Sequence, residues 1–141
     1  MKQVAKFEKV SYEQFKKDTE GIFGIDAIEK IYNNIKLPKR ATKGSAGYDF
    51  YLPTDLILGS KRTVKIPTGI RVEIDEGWVL KTYPRSSLGF KYRLQLDNTV
   101  GIIDSDYYYR PGMIEGEKHD KLLRRNRDLE TVKVNVLWVI H

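Results

Sequence analysis

Apolar and polar positions change their rhythm along the chain, and the changes separate three stretches. Residues 3–10 alternate loosely, with Val4, Phe7 and Val10 among Lys6 and Lys9, and predict a short strand. Ser11 stands three residues before Gln14, the spacing of a capping box, so a short helix is expected from Tyr12 to about Asp18. Gly21 and Gly24 mark a turn. Asp26 precedes Glu29 by three, a second capping signal, and Ile28, Ile31, Tyr32 and Ile35 then recur at helical spacing. Pro38 ends that helix.

From residue 38 the period shortens. Pro38–Ser45 is polar and loop-like. Tyr48–Leu52 reads as a strand closed by Pro53, and Val64–Ile66, Gly69–Ile74, Trp78–Tyr83, Leu94–Asp97 and Val100–Asp104 are further short β segments. Turn residues separate them at fairly regular intervals. The pattern predicts a mainly β fold, a barrel or sandwich with short helices attached at the N-terminus. The rhythm changes again at Arg110-Pro111-Gly112. Residues 110–130 hold six Lys/Arg and five Asp/Glu. A helix is expected over Lys121–Asp128, and the alternating Val132, Val134, Val136, Trp138 and Ile140 predict a strand over Thr131–Ile140. Three stretches result: 1–37, 38–109 and 110–141.

Composition narrows the chemistry. Cys is absent, which excludes thiolate catalysis, disulfides and cysteine-based metal clusters. The two His, His119 and His141, give little support to a multi-histidine zinc site or a Ser-His-Asp triad. No apolar run reaches the ~20 residues of a membrane span, and no secretory core follows the N-terminus, so no membrane partner and a cytoplasmic location are expected. The formal charge of +6 fits either an anionic ligand or plain solubility. No basic stripe or nucleic-acid-binding motif supports a nucleic-acid partner. The 9 Tyr and 5 Phe all lie at or before Tyr109, so the third stretch differs in composition as well as rhythm.

Three segments carry candidate chemistry. Ser45-Ala46-Gly47-Tyr48-Asp49-Phe50 has small residues that allow close backbone approach and a carboxylate entering a strand, although a turn with a capping Asp explains it too. Pro84-Arg85-Ser86-Ser87-Leu88-Gly89 offers a guanidinium fork and hydroxyl donors suited to phosphate, or simply a strand end with an N-capping Ser. Asn98 supplies both a donor and an acceptor, as base-edge reading requires, and Gly101-Ile102-Ile103-Asp104-Ser105-Asp106-Tyr107 follows it; a polar-tipped hairpin is the bland alternative.

In this order the three segments resemble the first three motifs of the trimeric dUTPase family (deoxyuridine 5′-triphosphate nucleotidohydrolase), over about residues 38–109. The resemblance implies a jelly-roll or distorted β-barrel subunit, assembly as a homotrimer with shared sites, and hydrolysis of dUTP to dUMP and pyrophosphate. It implies that Asp104 is the general base for the attacking water. Asn98 and the hairpin backbone, including Gly101 and Ile103, would read uracil, and Tyr107 would pack on deoxyribose and exclude a 2′-hydroxyl. Ser86 would donate to the bridging oxygen between the α- and β-phosphates, with Ser87 beside it. Arg85 would either approach the phosphates or hold the acidic first motif by an ion pair. Asp49 would orient waters on a triphosphate-bound Mg²⁺. Asp106 is expected to be structural.

The fourth and fifth family motifs have no counterpart after Tyr109. Either 110–141 reflects a truncated or frame-shifted gene, or it is a divergent replacement; both lead to the expectation of lowered activity. A non-catalytic nucleotide-binding module is the alternative function. A dCTP deaminase fits less well, because Phe90 stands near the place of that family's Arg.

Overall fold

A computed structural model describes residues 3–97 and 99–106, together with the backbones of two strands at 121–125 and 135–140. Strands dominate, and every pairing between named strands is antiparallel. β1 (Ala5–Lys9) pairs with β4 (Ile70–Ile74), Phe7 facing Val72. A four-stranded sheet runs in the order β2 (Gly47–Tyr51), β9 (Asn135–Ile140), β5 (Val79–Pro84), β7 (Gly101–Asp104). A three-stranded sheet runs β3 (Arg62–Ile66), β8 (Lys121–Arg125), β6 (Leu94–Leu96). The expected strands of the middle stretch are thus all present, within one or two residues at each end. No helix among the described residues is long and apolar enough to cross a membrane.

The helices follow the sequence with two corrections of detail. α1 (Tyr12–Thr19) is capped by Ser11, whose Oγ accepts from the Gln14 backbone N–H at 3.2 Å. The reciprocal half of a capping box is not made, because the Gln14 side chain donates to Asp18 Oδ1 at 2.6 Å instead. α2 (Ile25–Asn33) starts from Gly24, not Asp26, which lies inside the first turn, where a carboxylate still suits the helix dipole. The predicted apolar face holds within the helix, where Ile28 is buried and Ile31 and Tyr32 pack against the core; Ile35 is buried too but lies past the helix end. Helix α2 ends at Asn33, ahead of Pro38.

Of the helix expected over Lys121–Asp128, 126–128 lie outside the described residues, and Lys121–Arg125 is instead strand β8. Its backbone pairs on both sides, with β3 and with β6, and thereby supplies a partner to two strands that otherwise present open edges. That pairing outweighs a local charge pattern which by itself suits a helix. Likewise β9 lies between β2 and β5. The stretch with no matched motif therefore supplies an inner strand to each of the two larger sheets.

The N-terminal helices are built into the core of the β fold. Phe15 and Ile28 are almost wholly buried and share one apolar cluster with Phe50, Leu80 and Leu94. Tyr32 makes ring contacts with Tyr12 and Phe15 and donates its hydroxyl to the Val10 carbonyl at 2.8 Å. Gly69 closes this junction. Its carbonyl accepts from the Val10 N–H at 3.0 Å, its φ is +69°, and an added Cβ would lie 2.5 Å from Ile35 Cδ1 and 3.0 Å from the Phe15 ring. Only glycine meets both demands.

Candidate active site

Asp49 is the third residue of β2, and its row in the sheet explains its partner. Asp49 and Tyr83 both stand opposite Leu137 of β9, so they occupy one row with β9 between them. Strands two apart are separated by about 10 Å. Arg85 lies two residues beyond Tyr83, in extended conformation, and reaches back across this gap. Its Nη1 donates to Asp49 Oδ2 at 3.0 Å. The Asp49 side chain is only 8% exposed, against 41% for Arg85. A carboxylate so buried needs a charged or hydrogen-bonding partner, and the guanidinium is that partner. Of the two roles open to Arg85, the structure gives it the ion pair that joins the first motif to the second. Asp49 is further fixed by backbone bonds with Lys39, at 2.8 and 3.3 Å.

Ser86 and Ser87 open helix α3 (Ser86–Tyr92) directly after this arginine and are exposed. Arg85, not a serine, is the N-cap residue: its carbonyl accepts from the Leu88 and Gly89 N–H groups, and Leu88 is buried and anchors the helix. The serine hydroxyls are thus not spent on capping. Beside them lies a cavity of about 440 Å³, whose walls include Arg85, Ser86, Phe90, Arg93, Gln95 and Thr99. Arg93 and Gln95 carry no signal of their own in the sequence; they join this wall because α3 turns back into β6 through Arg93, which adopts a left-handed conformation with φ 51°.

Gly101, Ile103 and Asp104 lie on β7, opposite Thr82, Leu80 and Val79 of β5. Gly101 is dictated by its neighbour: a Cβ there would collide with Thr82 Oγ1, and Thr82 is itself buried. The Ile103 side chain packs against the core. Among the described residues strand β7 is at the edge of its sheet, and an edge strand presents N–H and C=O groups outward, the kind of donor and acceptor row that reads a base. Asp104 is exposed. Asn98 and Tyr107 lie outside the described residues.

The structure therefore brings together Asp49, Arg85 and Ser86, and keeps Asp104 apart from them. Asp104 faces Val79 at the start of β5, whereas Arg85 follows its end. Six residues of extended chain span about 20 Å. Among the described residues no three His, Cys, Asp or Glu side chains cluster to hold a metal. With Asp49 already bound to Arg85, this donor set does not make a protein cage. It fits a magnesium that is carried in by phosphate oxygens and touched by protein through water.

The dUTPase family model matches residues 33–112, more than half of the chain. The chain belongs to the dUTPase family. The deoxyuridine 5′-triphosphate nucleotidohydrolase of Lactococcus lactis is 38% identical to this dUTPase over 114 residues, covering 80% of the chain and 74% of the relative. That of Pseudomonas paraeruginosa is 44% identical over 81 residues, a match that spans 55% of the chain and 54% of the relative. Among solved structures, the dUTPase of Streptococcus mutans superposes with a TM-score of 0.66 at 28% identity, covering 96% of this chain and 93% of that one. A dUTPase mutant from phage phi11 of S. aureus, described with a coordinated structural Mg(II) ion, superposes with a TM-score of 0.64 at 18% identity and supports the fold alone. The mainly β fold with short helices is that of the family.

Proposed function

We propose that this dUTPase hydrolyses dUTP to dUMP and pyrophosphate in the cytoplasm, at sites shared between copies of a homotrimer. The observation that carries the shared site is the separation of Asp104 from Ser86 along β5. A general base must stand within hydrogen-bond reach of the water it activates. Some 20 Å of strand separates them along one chain, which supports a site that joins the Asp104 end of one copy to the Ser86 end of another.

Asp104 takes a proton from water as the water oxygen attacks the α-phosphorus. The bond to the α–β bridging oxygen breaks, and pyrophosphate leaves. Ser86 donates to that oxygen as charge grows on it, and Ser87 adds a second hydroxyl beside the phosphates. The outer edge of β7, at Gly101 and Ile103, together with Asn98, reads uracil. Tyr107 packs on the deoxyribose face. Arg85 holds Asp49 in place, and Asp49 would help hold, through water, a magnesium carried in with the substrate. When bound, the ion would neutralise phosphate charge.

The test is pyrophosphate release from dUTP, UTP, dTTP and dCTP by the full chain. Release from dUTP alone is expected, and Asp104→Asn is expected to lower kcat by about 100-fold or more, the scale of a general base. Unchanged turnover in that variant overturns the assignment.

A further inference from the structure

We propose that Arg93 is a substrate-binding residue, holding the β- and γ-phosphates of dUTP and the departing pyrophosphate in the cavity beside α3. The inference rests on the reading of this site as a dUTP hydrolase.

The cavity of about 440 Å³ is large enough for part of a nucleotide. Its described lining contains two cationic side chains, Arg85 and Arg93, and no carboxylate. Ser86, assigned to the α–β bridging oxygen, stands on the same wall, so the outer phosphates extend into or along this space. Of the two cations, Arg85 is already committed: Nη1 is bound to Asp49 and its charge is balanced by that carboxylate. Arg93 is exposed and has no ion-pair partner among the described residues. A guanidinium fork matches two phosphate oxygens at once. The Gln95 amide and the Thr99 hydroxyl on the same wall add neutral donors.

The backbone at Arg93 points the same way. Its φ of 51° and ψ of 32° suit glycine, yet the position carries a long cation. Helix closure alone asks for no side chain here, because the cap is made by backbone: the Arg93 N–H donates to the Gly89 and Leu88 carbonyls. Some other demand keeps the guanidinium in place, and a cationic cavity next to Ser86 supplies one.

The test compares Arg93→Gly and Arg93→Lys with the parent chain. Glycine relieves the backbone, so the thermal midpoint of Arg93→Gly is expected to stay or rise. Its KM for dUTP and its Kd for inorganic pyrophosphate, measured by calorimetry with magnesium, are expected to rise about tenfold or more. Affinity for dUMP is expected to hold, and Arg93→Lys is expected to recover part of the loss. Unchanged pyrophosphate binding in Arg93→Gly, equal loss of dUMP and dUTP affinity, or a parent chain that binds no pyrophosphate would overturn the inference. Pyrophosphate binding is read without turnover, so an inactive parent chain refutes the dUTP reading and leaves the Arg93 result standing on its own.

Discussion

At Gly101 a single missing atom decides whether β7 can lie against β5. The position sits in the third motif and faces Thr82, whose Oγ1 fills the place a Cβ would take. Thr82 Cβ would be 3.4 Å from that added atom, a separation that small shifts absorb. The clash is therefore with one hydroxyl. Gly101→Ala is expected to destabilise the fold by about 1–3 kcal/mol through overpacking. Adding Thr82→Ala removes the oxygen and is expected to recover most of that loss, a coupling that urea denaturation of the two singles and the double will read. Equal costs with and without Thr82→Ala would mean that the glycine answers to something other than this contact. The sequence showed Gly101 as part of a motif but not its reason, since Thr82 is nineteen positions away and only strand register makes them neighbours. The same holds for Arg85. Its chemistry was legible, with two partners possible; the row shared by Asp49, Leu137 and Tyr83 selected the carboxylate.

Elements were legible in proportion to how local their cause is. α1, α2 and the strands from β2 to β7 follow from caps, apolar period and turn residues, all within a few positions. β8 was misread because its cause is remote: the open edges of β3 and β6 lie far back in the chain, and no window around Lys121 contains them. The N-terminal helices show the opposite case. Their apolar face was readable, but what it covers was not. The structure seats Phe15 and Ile35 against Gly69, between β3 and β4, in the cluster that also holds Leu80 of β5. Phe15→Ala is accordingly expected to cost about 3–5 kcal/mol, the loss for a large buried aromatic. The loss should appear as faster hydrogen exchange in β4 and β5 as well as in α1, because helices and sheet share one core. Exchange confined to residues 11–20 would show instead that the helices form a separate cooperative unit.

At the scale of the molecule, the order of the motifs in sequence conceals their placement in space. Motif two ends β5 and motif three runs back along it, so antiparallel pairing carries Asp104 away from Ser86 with every residue added. On the roles proposed for Asp104 and Ser86 one chain does not close the site, and rotation of a second copy would bring the ends together. This yields a prediction that a one-chain site does not share. Chains carrying Asp104→Asn alone and Ser86→Ala alone should each assemble into nearly inactive oligomers. Mixed by unfolding and refolding together at equal amounts, they should regain activity. A site then works when the copy that offers Asp104 is the Ser86→Ala chain and the copy that offers Ser86 is the Asp104→Asn chain. Random mixing satisfies both conditions at about a quarter of the sites. Pyrophosphate release near a quarter of the parent rate is therefore expected. Were the two residues to act within one chain, every site in the mixture would contain a lesion, and mixing would restore nothing.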